Sequence, residues 1–175
     1  MSKQYNYRNC QSLFGYAQEV HERSQGICQL CGCGAGPQVD FDLWRQMTVE
    51  HLIGKSQGGY LKAIQAAIAQ RFPSLPAEEH ERLAKRIDEA NTVTACSFCN
   101  ATTSQDKHSE GMTQLINETE GTPDEVADAI LLELDKVLER KRANVHLKLQ
   151  AIREAFEKFI EPGLARRQSP TEKAA

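Results

Sequence analysis

Two Cys-x-x-Cys pairs are the residues of this chain whose types and spacing most directly indicate chemistry. Cys28 and Cys31 form the first pair, Cys96 and Cys99 form the second, and 64 residues separate them. Two such turns supply four thiolates, the ligand set that tetrahedral zinc takes in structural sites. A long insert is tolerated if the chain leaves and returns at one place. The sequence therefore predicts a structural Zn²⁺ ion bound by these four residues.

The pattern leaves other readings of the cysteines open. Cys10 and Cys33 remain outside the two pairs, and Cys33 could compete with Cys31 as a ligand. Four reduced structural thiols would fit the same spacing. A redox pair is less favoured because no βαβ pattern surrounds either motif. Disulfides are disfavoured because the sequence shows no export signal.

The stretch Thr48–Gly59 lies between the two pairs and begins Thr-Val-Glu-His. The Glu50 carboxylate can bind a hard cation such as Mg²⁺. The His51 imidazole, with an ordinary pKa near neutrality, can take a proton from water. On a regular strand these two side chains would point to opposite faces, so convergence requires a bend. Zinc held by four cysteines has no open position, so any hydrolysis needs these other groups.

The order of these motifs resembles the HNH (ββα-metal) nuclease family. The matching segments are Cys28 to Cys31, Glu50-His51 through Gly59, and Asn91 through Cys99-Asn100. The resemblance covers roughly positions 27 to 107. It implies a metal-dependent endonuclease that hydrolyses phosphodiester bonds of double-stranded DNA.

The resemblance also implies a role for each matching residue. His51 would be the general base that activates water, and Asn91 would hold the loop that bears this base. Glu50 and Asn100 would bind one catalytic divalent ion, Mg²⁺ or Mn²⁺. That ion would stabilise the charge that builds on the scissile phosphate and on the leaving 3′ oxygen.

Three departures from the family pattern stand out. Gly54 occupies a position where a proline is frequent. Thr103 occupies a position where a lysine is common, three residues after the last metal ligand. Lys107 and His108 follow and could replace that lysine, or His108 could itself complete the metal site. Lys55 and Lys107 are the predicted DNA contacts. The third departure is the helical insert at positions 60 to 90, where many members have a short loop.

Periodicity and turn residues predict the elements that must position these groups, in an α+β fold. We expect a zinc-stapled ββα-metal core with a helical-hairpin insert and a long C-terminal helical extension. The expected divisions are an N-terminal helical segment at 1–26 (helix near 12–24), the core at 27–107 with its insert at 60–90, a linker and long helix at 108–163, and a disordered tail at 164–175. Phe41–His51 is expected to be extended, and residues 106–121 are expected to be a linker.

The long helix has a clear predicted start. Thr122 is a favoured N-cap, followed by proline and a capping-box glutamate, and apolar residues recur to Ile160 before Pro162-Gly163. This length predicts a homodimer through the helix; a helix folded back on its own core is the alternative. Its basic residues predict a solvated face, or a face that contacts phosphates: Lys136, Arg140, Lys141 and Arg142.

Composition sets wider bounds. The chain has 175 residues, a formal net charge of −3 and 40% hydrophobic residues, as expected for a globular protein. No apolar run approaches the roughly 20 residues of a membrane span, and the N-terminus lacks a secretory signal. A cytoplasmic location is therefore expected. The net charge argues neither for nor against nucleic acid, since a nuclease can carry its positive charge locally.

The sequence favours a restriction-type enzyme among HNH nucleases. Two alternatives share its features. A catalytically inactive zinc-stapled module that binds nucleic acid would keep the four cysteines, and a nicking or homing-type nuclease would keep the whole site.

Overall fold

A computed structural model describes residues 17–36, 41–103 and 107–168 of the chain. The fold is α+β, as predicted, with a two-stranded antiparallel sheet among helices. In chain order the elements are α1 (Gln18–Arg23), α2 (Phe41–Trp44), β1 (Met47–His51), a 3₁₀ turn (Lys55–Gln57), α3 (Leu61–Arg71), α4 (Ala77–Asn91), β2 (Thr92–Cys96), α5 (Ser97–Thr103), α6 (Met112–Glu118), α7 (Pro123–Ala155), a π-helical turn (Phe156–Ile160) and α8 (Glu161–Gln168).

The sheet brings the two halves of the sequence motif together. Strand β1 pairs with β2 from Met47 opposite Cys96 to His51 opposite Thr92. Helix α5 begins directly after β2 and packs on both strands. The second cysteine pair therefore spans the end of β2 and the first turn of α5.

The predicted helical insert is present as two packed helices, α3 and α4. Its buried positions are Ile64, Ala67 and Ile68 on α3, and Leu83, Ala84 and Ile87 on α4. These residues recur three or four apart, so each helix buries one face against the other. Helix α4 runs to Asn91, the first residue of the second sequence motif. The hairpin therefore delivers the chain directly to β2.

Helix α7 joins two separate apolar clusters. Ile130, Leu134 and Val137 lie in the larger cluster with the hairpin. Val145, two turns later, lies in a smaller cluster with the buried cysteines. The long helix therefore packs on its own core from Val126 to Val145. From residue 150 to residue 162 every side chain is exposed.

Three expectations about the elements were wrong in detail. Residues 41–44 are one helical turn, not strand, because the Arg45 amide donates to the Phe41 carbonyl. The expected linker at 106–121 contains α6, whose Met112, Leu115 and Ile116 are buried. The helix does not stop at Pro162-Gly163 but runs through α8 to Gln168, so positions 164–168 of the expected tail are helical. Of the N-terminal helix expected near 12–24, residues before 17 lie outside the described residues.

Candidate functional site

The four cysteines of the two motifs gather at one point. The sulfur atoms of Cys28, Cys31, Cys96 and Cys99 all lie within 4.8 Å of one another. Cys28 and Cys99 are buried, and the other two are partly exposed. The prediction of a four-cysteine cluster is confirmed, and it could hold a metal ion such as zinc. Cys33, the competing ligand, is not part of this cluster.

The spacing of the sulfurs fits a tetrahedral zinc ion. A Zn–S distance of about 2.3 Å places neighbouring sulfurs about 3.8 Å apart in a tetrahedron. Cys31 Sγ and Cys96 Sγ are 3.9 Å apart. Gly32, with φ of +76°, turns the chain so that the Cys33 amide donates to Cys31 Sγ at 3.4 Å. The backbone thus supports a thiolate at Cys31.

Four thiolates in this space need a compensating cation. Burial raises the pKa of the Cys31 thiol to about 12. Neighbouring sulfurs, together with burial, raise the pKa of Cys99 as well, whereas hydrogen bonds with Cys96 and Cys99 lower the pKa of Cys28. Deprotonation of all four residues is therefore favourable only with a metal ion bound, because burial and mutual repulsion penalise the thiolates.

Glu50 lies in a buried contact with two other elements. It points to the same face of β1 as Thr48, since alternate residues of a strand share a face. Thr103 of α5 donates to Glu50 Oε1 at 3.2 Å, and Lys141 of α7 donates to the same oxygen at 2.5 Å. Glu50 and Lys141 are only 7% and 2% exposed. The long helix therefore places an ammonium group on the carboxylate that was predicted to bind metal.

His51 follows at the end of β1 and is partly exposed. Burial lowers the pKa of its imidazole to about 4, with smaller contributions from the positive charges of Lys55 and Lys141. A neutral imidazole can accept a proton. At neutral pH the His51 side chain is therefore in the form that a general base requires.

Asn91 fastens the loop that follows His51. Its side chain is 0% exposed. Its Oδ1 accepts the Ile53 amide at 2.8 Å, and its Nδ2 donates to the carbonyls of Ile53 at 3.1 Å and Gly59 at 2.9 Å. One side chain thus ties together both ends of residues 53–59. The role that the resemblance implies for Asn91 requires this kind of loop attachment.

The double glycine is required by the same loop. Gly58 has a φ of +79°, in the left-handed region that favours glycine. A β-carbon on Gly59 would lie 1.8 Å from the Ile53 carbonyl oxygen and 2.9 Å from Asn91 Nδ2. Only glycine fits there without moving the backbone.

The two candidates for a second catalytic-metal ligand lie in different places. Asn100 of α5 donates through Nδ2 to Thr48 Oγ1 at 2.8 Å, on the strand face that carries Glu50. His108 is directed to α7, where its Nε2 lies 3.3 Å from Glu133 Oε1, and its Nδ1 contacts Glu110. The arrangement favours Asn100 over His108 as the neighbour of Glu50.

A pocket of about 230 Å³ opens over this site. The predicted residues Glu50, His51, Lys55 and Lys107 all line it, together with Lys141. Gly54, Ser56 and Gln57 from the loop complete its wall. The residues predicted to react with DNA and to contact it are thus neighbours in space, although they span positions 50 to 107.

Two side chains of the predicted site, Glu50 and Asn100, carry oxygen atoms, the donor type that hard divalent cations take. Mg²⁺ is held by one or two carboxylates and keeps several waters. Glu50 Oε2 and the side-chain oxygen of Asn100 are oxygen donors of the required type. Lys141 and Thr103 both contact Glu50 Oε1, so a cation here would share the carboxylate with an ammonium group.

Sequence reasoning missed the place of Lys141. It was grouped with the other basic residues of the long helix as a solvated face or a face that contacts phosphates, and the solvated face is wrong for this residue. One signal was present: Lys141 lies four residues after Val137 and four before Val145, both 0% exposed, on the helix face that is buried. A lysine on the apolar face of a helix needs a partner, and Glu50 was the buried acid available.

Comparisons with protein-family models, with curated proteins and with solved structures return no match. Among the described residues, no helix is long and apolar enough to cross a membrane.

Proposed function

We propose that this chain is an HNH-type, metal-dependent endonuclease that hydrolyses phosphodiester bonds of double-stranded DNA. One observation carries the proposal: a single pocket is lined by Glu50, His51, Lys55 and Lys107. These are an acid, a base and two cations, the groups that phosphodiester hydrolysis needs. A two-stranded sheet followed by a short helix, with a cysteine cluster at its end, also fits that family.

In this proposal zinc is structural and joins the two halves of the site. The ion links the turn at Cys28–Cys31 to the junction of β2 and α5. Asn100 immediately follows the last of these cysteines, so binding of zinc fixes the start of the helix that carries it. Since the four sulfurs fill all zinc positions, this ion takes no part in hydrolysis.

The chemistry belongs to the pocket residues. The neutral His51 imidazole takes a proton from a water molecule, which attacks the phosphorus. Lys55 and Lys107 attract the phosphate backbone. Mg²⁺ or Mn²⁺, when held by Glu50 and Asn100, supplies positive charge beside the scissile phosphate and the leaving 3′ oxygen. Asn91 keeps the loop from residue 53 to residue 59 in place while the phosphate binds.

Plasmid cleavage tests the proposal. Zinc-loaded protein would be incubated with supercoiled plasmids of differing sequence and methylation, with added Mg²⁺ or Mn²⁺. We expect nicked or linear DNA from the wild type and loss of at least about 100-fold in rate for His51→Ala. His146→Ala is the matched control, because that histidine is exposed on α7. Intact plasmids across the panel, or equal rates for His51→Ala, would refute the nuclease proposal.

The inactive zinc-stapled module remains the second candidate because of one contact. The buried ion pair between Lys141 and Glu50 occupies part of the predicted catalytic-metal site. If that pair excludes divalent ions, the pocket binds phosphate without hydrolysing it. DNA binding by the wild type, unchanged in His51→Ala and without cleavage, would favour this candidate. If the protein cleaves plasmid DNA, the product distinguishes the two types of nuclease. Linear DNA indicates a restriction-type enzyme, and nicked circles indicate a nicking enzyme.

We also propose that the end of the long helix pairs with a second copy of the chain. Ile152, Phe156 and Phe159 are 49%, 43% and 69% exposed. These large apolar side chains lie together on the exposed end of the helix, and a second copy of the chain would cover them. Two copies would supply two sites for cutting two strands. Sedimentation should show a dimer that Phe156→Asp converts to a monomer; a wild-type monomer at assay concentrations would refute the pairing.

A further inference from the structure

Lys141 is the one lysine or arginine among the described residues that is buried, at 2% exposure. Its ammonium lies 2.5 Å from Glu50 Oε1 and 3.4 Å from the His51 carbonyl oxygen. An ammonium group is costly to remove from water, and one carboxylate offsets that cost only with good geometry. A methionine at this position would fill a similar space without the desolvation penalty of a buried ammonium group. This comparison suggests that the positive charge of Lys141 has a function.

The Lys141 ammonium group has one more N–H donor than its contacts with Glu50 and His51 use. A lysine carries three N–H donors, and within the described part of the chain its acceptors are the two oxygens of Glu50 and His51 just named. Lys141 also lines the pocket over the site. A third donor is therefore available to a ligand in that pocket.

The pocket has the charge and size for a phosphate group. Three lysines and one glutamate line it: Lys55, Lys107, Lys141 and Glu50. The lysines outnumber the acid, so an anion is favoured. Its volume of about 230 Å³ corresponds to the liquid volume of roughly eight water molecules. A phosphate with part of its hydration shell can be accommodated.

We propose that Lys141 is a phosphate-binding residue: it donates to a non-bridging oxygen of the DNA phosphodiester while Glu50 holds its ammonium in place. This inference rests on the proposed function, because it concerns the same pocket. It assigns the long helix a direct part in substrate binding. Since α7 also bears the proposed dimer contact, one helix would position both the phosphate and the second subunit.

The alternative is that Lys141 only neutralises Glu50. A matched pair of variants separates these roles. Glu50→Gln keeps the ammonium and removes its carboxylate partner. The double variant Glu50→Gln with Lys141→Met removes both charges of the buried pair, a change that proteins often tolerate. Both variants lack the carboxylate, so they differ only in the ammonium.

Titration with inorganic phosphate, without added divalent metal, gives the readout. Binding is followed by NMR shifts of the pocket residues, with zinc content and thermal midpoint measured for each protein. We expect Glu50→Gln to bind phosphate at least as tightly as the wild type, and the double variant to bind roughly 10-fold or more weakly. Equal affinities of the two variants would overturn the inference.

This experiment does not depend on cleavage. A protein that binds phosphate through Lys141 but leaves all DNA intact would refute the nuclease proposal and support the present inference. In an active enzyme, Lys141→Arg should retain more activity than Lys141→Met, because arginine keeps the positive charge. Equal activity of Lys141→Met and wild type would overturn the role of Lys141.

Discussion

Replacing Asn91 with alanine removes one side chain that holds the whole loop over the site. The amide is fully buried and makes three hydrogen bonds, two to Ile53 and one to Gly59. An alanine side chain has no polar atom that could form hydrogen bonds with the backbone groups of Ile53 and Gly59. We therefore expect Asn91→Ala to destabilise the fold and to disorder residues 53–59.

The magnitude follows from the count of hydrogen bonds. Each contributes about 1 kcal/mol net, so losing three costs about 3 kcal/mol, and a buried group left unpaired adds to this. In a domain of this size, about 3 kcal/mol lowers the thermal midpoint by roughly 6–12 °C. All three lost hydrogen bonds hold residues 53–59, so this loop should become disordered before the rest of the chain unfolds. Activity should therefore be lost at temperatures where most of the chain is still folded.

Thermal unfolding by circular dichroism, with zinc kept bound, measures this effect. Asn100→Ala is the matched control, because its amide makes one hydrogen bond, to Thr48, and is only half-buried. We expect the control, which loses one hydrogen bond, to lower the midpoint by no more than about 4 °C. If Asn91→Ala and Asn100→Ala lower the midpoint equally, the account of Asn91 as the loop clamp is wrong.

Three further predictions concern the zinc cluster, the glycine loop and pH. Purified protein should contain one zinc per chain by atomic emission, and Cys99→Ser should lose it and unfold more readily, whereas retention of a full equivalent would contradict the four-cysteine site. Gly59→Ala should destabilise the fold and abolish activity because its β-carbon would meet the Ile53 carbonyl, while Gly54→Ala, whose nearest contact is 3.8 Å away, should resemble the wild type. Because burial lowers the His51 pKa to about 4, kcat/KM limited by this base should stay level down to about pH 5 and fall near pH 4; a midpoint near 6.5 would contradict the buried imidazole. The same shift means that the unfolded state gains a proton first, so stability should fall as pH drops from about 6.5 to about 4.

Local patterns predicted the cysteine cluster and the helical hairpin because each has a strong local signature. Each Cys-x-x-Cys turn supplies only two of the four ligands of a structural zinc ion, so the two turns must lie next to each other to bind it. The hairpin helices carry apolar residues three or four apart, and Pro73 and Pro76 mark the break between them. The constraint on the hairpin acts over a few neighbouring residues. The cysteine pairs are 64 residues apart, but a single zinc ion needs all four thiolates, so the ligand chemistry itself predicts that the pairs meet.

Long-range pairs were not readable in the same way. The contact between Glu50 and Lys141 joins residues 91 positions apart, and nothing near either residue specifies the other. Helix α6 was missed for a different reason: its flanking glycines and polar residues suggested a linker, although Met112, Leu115 and Ile116 already had helical spacing. Phe41–Trp44 was predicted as extended together with the strand that follows it, from the apolar positions Trp44, Met47 and Val49, yet residues 41–44 form a single helical turn.

Cleavage of a defined DNA duplex, with analysis of the product ends, tests the central claim most directly. If the pocket around His51 hydrolyses phosphodiesters, the wild type with Mg²⁺ or Mn²⁺ should release fragments that carry 5′-phosphate and 3′-hydroxyl ends. His51→Ala, with full zinc content and an unchanged thermal midpoint, should release them at least about 100-fold more slowly. Fragments formed equally fast by both proteins, or no fragments from a zinc-loaded wild type on any duplex tested, would contradict the account.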